Sequence, residues 1–313
     1  SYQLEIIGDE EKFKTESEYD GVKLWHYIKT EVNPSTTTGA SDFKDQIETA
    51  KLSDFSHNVK KFNVWFSDVR SEIIKLEGDG KYNEYVRSIF KTDEQERTSD
   101  DYFLASGSNV SFFFEEKAID SEGHFTVPKQ KSINKIGHAQ HRLDPVYKGI
   151  VNELDFTSLG RDLGIEKPEA VQSMHIFKQP SIGGEVGLHQ DSTFLYTEPK
   201  SCIGFWLALE DATASNGCLQ ALKGGHKITL KQRFKLSENG GTEFEILDDE
   251  PWPLTPLELL EVPAGTLIIL HGQLPHYSAA NTSEKSRQAF TLHLVDAVCN
   301  YPTNNWLQPM TAL

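Results

Sequence analysis

From residue 171 to 295 the chain is composed of short apolar runs, each too brief for a stable helix and each bounded by turn chemistry. The runs are VQSMHIFK (171–178), LHQDSTFL (188–195), CIGFWLAL (202–209), GCLQAL (217–222), LELLEV (257–262), GTLIILHG (265–272) and RQAFTLHLV (287–295). Between them stand the loop QPSIGGEVG, the pair Asn216-Gly217, the triplet Pro263-Ala264-Gly265 and the stretch Asn281 to Ser283. β-branched and aromatic residues at this spacing favour strands that close on one another as an antiparallel sandwich or barrel.

The front of the chain has a different period. Phe55, Val59, Phe62, Phe66, Val69 and Ile73 recur in steps of three and four, the stripe of an amphipathic helix. Ser53 or Asp54 would cap it and Gly78 would stop it. NPSTTTGASD before it reads as a linker, and TDEQERTSDD (92–101) as a solvated loop. A second helix is predicted over residues 145–163, opened by Asp144-Pro145, lined by Val146, Ile150, Leu154 and Leu159, and ended by Gly164. The expectation is one folded domain: an all-β core over 101–313, with flanking helices mainly in the region 1–100 packed on it.

Charge excludes one class of partner. The 313 residues carry 31 basic and 47 acidic side chains, a net charge of −16, and no basic stripe that could follow a phosphate backbone. Nucleic acid is therefore not an expected partner. No apolar run approaches the roughly 20 residues that span a bilayer. The start SYQLEIIGDEEKFK lacks a signal peptide's basic and apolar blocks, and the end PMTAL is no SKL-type address. A cytoplasmic location is the expectation. Cys202, Cys218 and Cys299 are an odd, scattered set that suggests buried thiols, not a disulfide framework or a zinc site. SIGGEVG and SENGGTE fit neither dinucleotide nor P-loop spacing, and Ser192 has no GxSxG elbow.

The chemistry-bearing residues lie in the strand region. His189 and Asp191 are two apart, so one strand would turn both to the same face. An imidazole and a carboxylate there need one more imidazole to complete a facial triad, which suits Fe(II) and leaves positions open. His276, after GTLIILHG, is the candidate, placed where the next turn begins. HxD alone recurs by chance, so the context decides. Arg287 follows His276 across the turn ANTSEKS and heads an alternating strand in which Arg287, Ala289, Thr291 and His293 share a face. A guanidinium turned into a barrel needs a carboxylate, which the far end of 2-oxoglutarate could supply in bidentate fashion, with the Ser278 hydroxyl as a second donor. A surface Asp or Glu is the plainer partner for a lone arginine. His271 and His293 read as core or supporting residues, although His293 could face inward with Arg287 and orient cosubstrate; His175 reads as structural, and His138 and His141 flank a loop beside Lys135 where they could meet substrate.

QSMHIFKQPSIGGEVGLHQDSTFLYTEP, GFWLALEDATASNGCLQALKGGHK and LIILHGQLPHYSAANTSEKSRQAFTLHL closely resemble the phytanoyl-CoA dioxygenase family, as do DYFLASGSNVSFFFEE, KSINKIGHAQHRLDPVYK and NWLQP. The resemblance covers about residues 100–310, and residues 1–100 carry little of it. It implies a double-stranded β-helix (jelly roll) and an Fe(II)- and 2-oxoglutarate-dependent dioxygenase, with ascorbate in support. It also implies hydroxylation of an aliphatic C–H in a small molecule or acyl group, with release of succinate and CO2. His189, Asp191 and His276 match its iron ligands, and Arg287 and Ser278 its 2-oxoglutarate carboxylate site. Lys135, Met174 and Trp206 match cosubstrate-pocket positions, although Met174 and Trp206 could equally be barrel filling. Acyl-CoA thioesters are suggested by the family name alone. The chain departs from the family at Lys223-Gly224-Gly225-His226, where a PGSH-like turn is common. Two rivals stand beside this reading: a metal-dependent oxygenase that does not use 2-oxoglutarate, and a non-catalytic barrel serving as a binding or scaffold module.

Overall fold

The computed structural model describes residues 101–120 and 123–309. The helix over 55–73, the linker before it and all but the end of the charged run fall outside those residues; Asp101, its last member, opens a helix. Four helices are described: α1 (Asp101–Ser106), α2 (Gln140–Leu143), α3 (Pro145–Glu153) and α4 (Phe156–Asp162). The strands are β1 (Val110–Phe114), β2 (Ile133–His138), β3 (Pro168–Lys178), β4 (Val186–His189), β5 (Ile203–Ala208) and β6 (Leu219–Ala221). They continue with β7 (Gln232–Leu236), β8 (Thr242–Ile246), β9 (Glu258–Leu260), β10 (Leu267–His271), β11 (His276–Ser278) and β12 (Arg287–Asp296). A six-stranded sheet in the order β1-β2-β3-β12-β5-β10 faces a four-stranded sheet, β4-β11-β6-β9, and β7–β8 form a separate hairpin. The paired strands are antiparallel, so the two sheets make the double-stranded β-helix that the resemblance implied.

Each face of the large sheet has its own cover. Phe205, Leu207, Ile269, Phe290 and Leu292 point outward, where Tyr147 of α3 and Phe156 of α4 pack on them. Full burial of each such side chain contributes about 2–3 kcal/mol. Trp206, Ala208, Ile268, Leu270 and Ala289 point inward and meet Leu219, Ala221, Leu260 and Val262 at the closed end between the sheets. The helix expected over 145–163 is two. Asp144 caps α3 by accepting from Val146 and Tyr147 N–H, and Asp155, at φ +44°, breaks the run and caps α4. A short polar side chain tolerates that left-handed backbone where an apolar one would not. Gly164, at φ +93°, ends the second helix as its position implied.

Two local expectations are corrected. The run 188–195 is not one strand: β4 stops at His189, and Asp191–Thr193 form a 3-10 turn. His276 does not open a turn but begins β11. Strands β1, β2, β7 and β8 lie outside the seven apolar runs. Among the described residues no helix is long and apolar enough to cross a membrane.

Candidate functional site

In the small sheet His276 pairs directly with His189, so the two imidazoles share a face, their ring centroids 4.2 Å apart. The 3-10 turn then folds Asp191 back between them. Asp191 Oδ1 lies 3.7 Å from His189 Nε2 and 3.5 Å from His276 Nε2. One ligand atom from each residue falls within 4.8 Å of the other two. Both rings hold the tautomer a metal requires. His189 Nδ1 lies 2.7 Å from the Gly187 carbonyl oxygen and His276 Nδ1 3.0 Å from that of Leu274, so each Nδ1–H donates outward and each Nε2 lone pair points inward. Burial, then neighbouring His276, pulls His189 down to about 4, which keeps the ring a neutral ligand at physiological pH. Burial pushes the Asp191 carboxyl up, but the imidazoles of His276, His293 and His189 together outweigh it and hold the group well below the usual carboxylate range. Two imidazoles and one carboxylate with their donor atoms turned toward one point are the donor set of a non-haem iron site.

Arg287 begins β12 and is 1 % exposed. Its Nη2 donates to Ser278 Oγ at 3.2 Å and its guanidinium lies 5.3 Å from the Trp206 ring, but Nε and Nη1 have no hydrogen-bond partner among the described residues. Burial pulls it down to about 10. A buried guanidinium with two unsatisfied donor nitrogens fits an anionic ligand. Ser278 stands two residues from His276 along β11, about 7 Å at the usual strand rise, a span that a five-carbon dicarboxylate can bridge. The Ser278 hydroxyl, however, donates to the Gly217 carbonyl oxygen at 2.8 Å. As placed, it accepts from Arg287, and its proton is not directed to a ligand.

The other candidates line the same inner face. Lys135 pairs with Ile176, which pairs with Ala289; Met174 and Trp206 both pair with Thr291. Lys135 is 7 % exposed, its ammonium sits 5.0 Å from the Phe113 ring, and burial pulls it down to about 7. Trp206 is buried, while Met174 and Ile176 are only half-buried in a central strand, which marks an open interior between the sheets. The remaining histidines divide. His175 is structural: it bonds Tyr147 OH at 2.7 Å and Gln288 at 3.2 Å and stacks on Phe177. His138 bonds Ser106, and His141 bonds Ser173 and Ala170, so both imidazoles have internal partners. His293 faces inward, its Nε2 3.5 Å from Asp191 Oδ2.

Sequence reasoning missed Lys178. It pairs with Arg287, and its ammonium donates to the carbonyls of Gly184, Ala279 and Ser278 at 2.7, 2.6 and 3.3 Å. One buried cation thereby ties the loop entering β4 to the chain leaving β11, and its strand alternation with Met174 was the available signal. The Gly224-Gly225-His226 turn supports His276 from behind: a Cβ on Gly225 would lie 2.6 Å from Pro275 Cδ.

The class of the protein follows from comparison with known sequences. The family model for phytanoyl-CoA dioxygenase (PhyH) matches residues 43–289, so the family likeness begins well before residue 100 and is not confined to about 100–310. The chain belongs to the phytanoyl-CoA dioxygenase family and is a non-haem iron, 2-oxoglutarate-type dioxygenase acting on small molecules. Among individual relatives, it is 49 % identical over 227 residues to the phytanoyl-CoA dioxygenase of Arabidopsis thaliana, covering 71 % of this chain and 78 % of the relative. It is 44 % identical over 242 residues to the Bos taurus phytanoyl-CoA dioxygenase domain-containing protein 1, covering 73 % and 81 %. Among solved structures, the alpha-ketoglutarate-dependent carbocyclase SnoK aligns at 17 % identity and a TM-score of 0.48, over 67 % of this chain and 81 % of that one. EctD from S. alaskensis, crystallised with 2-oxoglutarate and 5-hydroxyectoine, aligns at 16 % and 0.45, over 70 % and 82 %.

Proposed function

We propose that His189, Asp191 and His276 hold Fe(II), that Arg287 binds the distal carboxylate of 2-oxoglutarate, and that the enzyme hydroxylates an aliphatic C–H of a small molecule or acyl group. In the overall reaction the substrate C–H and 2-oxoglutarate consume one O2. One oxygen atom enters the new alcohol, the other enters succinate, and CO2 leaves. Bound iron supplies the oxygen activation; the protein supplies orientation and a dry, charged pocket. His189 and His276 turn their Nε2 atoms inward through their outward Nδ1–H bonds. Trp206 walls one side of the Arg287 guanidinium, Met174 shares its row, and Lys135 adds a second positive charge on that face. Ser278 orients Arg287 and donates to the cosubstrate only if its hydroxyl turns from Gly217. The chemistry sits in the barrel of residues 101–313; the expected packing of residues 1–100 on it lies outside the described residues.

The observation that carries this reading is the pair of unpartnered, buried Arg287 nitrogens on the wall beside the triad. The names of these relatives make acyl-CoA thioesters the first substrates to try. The test supplies Fe(II), ascorbate and 2-oxoglutarate to the purified protein and measures succinate across a panel of acyl-CoAs and metabolite fractions, with product mass read in parallel. Substrate-stimulated succinate with one oxygen added to the substrate supports the proposal. Oxygen uptake that persists unchanged in Arg287→Ala points instead to an oxygenase that does not use 2-oxoglutarate.

A further inference from the structure

We propose that His293 is a positioning residue that holds Asp191 to ligation through one oxygen. The inference rests on the metal-site reading above and concerns the half of the carboxylate which that reading leaves unused. Asp191 Oδ1 faces the two Nε2 atoms of His189 and His276 at 3.7 and 3.5 Å, whereas Oδ2 faces away, 3.5 Å from His293 Nε2. That separation is long for a hydrogen bond and within reach of one after a small shift. With Nε2 the atom turned to the carboxylate, the hydrogen belongs there, and the ring donates to Oδ2.

Two features show that this contact is built for. First, Gly204 of β5 lies opposite His293 in register. Its φ is not in the left-handed region, so no backbone demand explains the glycine. Space does: an added Cβ would sit 2.9 Å from Asp191 Oδ2 and 3.2 Å from His293 Nε2. Second, His293 Nδ1 is buried without a partner among the described residues. A leucine would fill that volume without the roughly 1–3 kcal/mol penalty of an unpaired buried polar atom. The imidazole is therefore accounted for by its other nitrogen. A carboxylate free to rotate can chelate through both oxygens and occupy a position that the cosubstrate or oxygen requires. Tethered at Oδ2, it presents Oδ1 alone.

The test needs neither substrate nor turnover. Metal-free wild type, His293→Leu, His293→Gln and Gly204→Ala are titrated with Co(II), with affinity read by calorimetry and coordination by the visible ligand-field spectrum. His293→Leu should bind about 10–100-fold more weakly, the usual effect of losing an outer partner of a metal ligand, with an altered spectrum. His293→Gln, whose amide can still donate to Oδ2, should recover most of both. Gly204→Ala, which keeps the imidazole but presses a methyl onto Oδ2, should resemble His293→Leu and decides the matter if the leucine variant fails to fold. Wild-type affinity and spectrum in both His293→Leu and Gly204→Ala would overturn the proposal. A wild type that binds no Co(II) would overturn the metal site itself and this inference with it.

Discussion

Replacing Arg287 with methionine keeps most of the side-chain volume and deletes the charge, and its effect on stability should run opposite to its effect on binding. Burial has drawn the guanidinium down to about 10, a fall equivalent to about 3 kcal/mol against the charged form. The substitution removes that penalty. It also removes one hydrogen bond to Ser278, about 1 kcal/mol, and the guanidinium–indole contact with Trp206, about 1 kcal/mol. The difference favours the variant by about 1 kcal/mol, or a melting temperature raised by about 1–2 °C for a chain of this size. With cosubstrate the order reverses. Truncating one partner of a buried, hydrogen-bonded charge pair costs about 3–4 kcal/mol, so 2-oxoglutarate should bind about 100- to 1,000-fold more weakly. At a concentration 100 times the wild-type Kd, the ligand stabilises the wild type by about 2.7 kcal/mol and the variant by no more than about 0.4 kcal/mol. Urea unfolding with and without 2-oxoglutarate, anaerobically with Fe(II) present, measures both numbers. A variant at least 3 kcal/mol less stable without cosubstrate, or one stabilised by cosubstrate as much as the wild type, would refute the reasoning.

Other perturbations have equally definite outcomes. Lys135, drawn down to about 7 by burial, attracts an anion only when protonated. Wild-type 2-oxoglutarate affinity should therefore fall as pH rises through about 7, and Lys135→Met should bind about tenfold more weakly with that dependence gone, by calorimetry. His141 and His175 are drawn down to about 4 and about 3 by burial, so the unfolded chain takes up their protons first. The stability they contribute is complete above about pH 6.5 and is lost as pH falls toward those values, a decline of a few kcal/mol visible in metal-free urea midpoints. Gly217→Ala should destabilise by about 2 kcal/mol or more in the same assay. The backbone there is at φ +82°, and a Cβ would meet the Ala279 carbonyl oxygen at 2.5 Å.

Strand period carried most of what could be read from the sequence. Alternation along 287–295 put Arg287, Thr291 and His293 on one face and Phe290 and Leu292 on the other, as β12 has them. The pairing of His276 with His189 is a long-range register, invisible to local pattern, and it explains why HxD works although Asp191 lies beyond the strand. The β7–β8 hairpin did have a signal. QRFKL and TEFEI alternate on either side of Asn239-Gly240-Gly241, and both glycines take positive φ. Strands β1 and β2 are harder to read, because VSFFF and INKIGH are buried on both faces and lose their alternation. His293 looked like a core residue because its sequence neighbours are apolar. Only the register with Gly204 shows that the ring meets Asp191.

The most direct measurement of the central claim is an anaerobic titration of metal-free protein with Fe(II) and 2-oxoglutarate, followed by visible absorption. A chelate of the two on this triad should give a charge-transfer band only when both are present, saturating at one Fe(II) per chain. The band should vanish in His276→Ala and appear in Arg287→Met only at much higher 2-oxoglutarate. Absence of the band in the wild type, or a band indifferent to His276 and Arg287, would contradict the site described here.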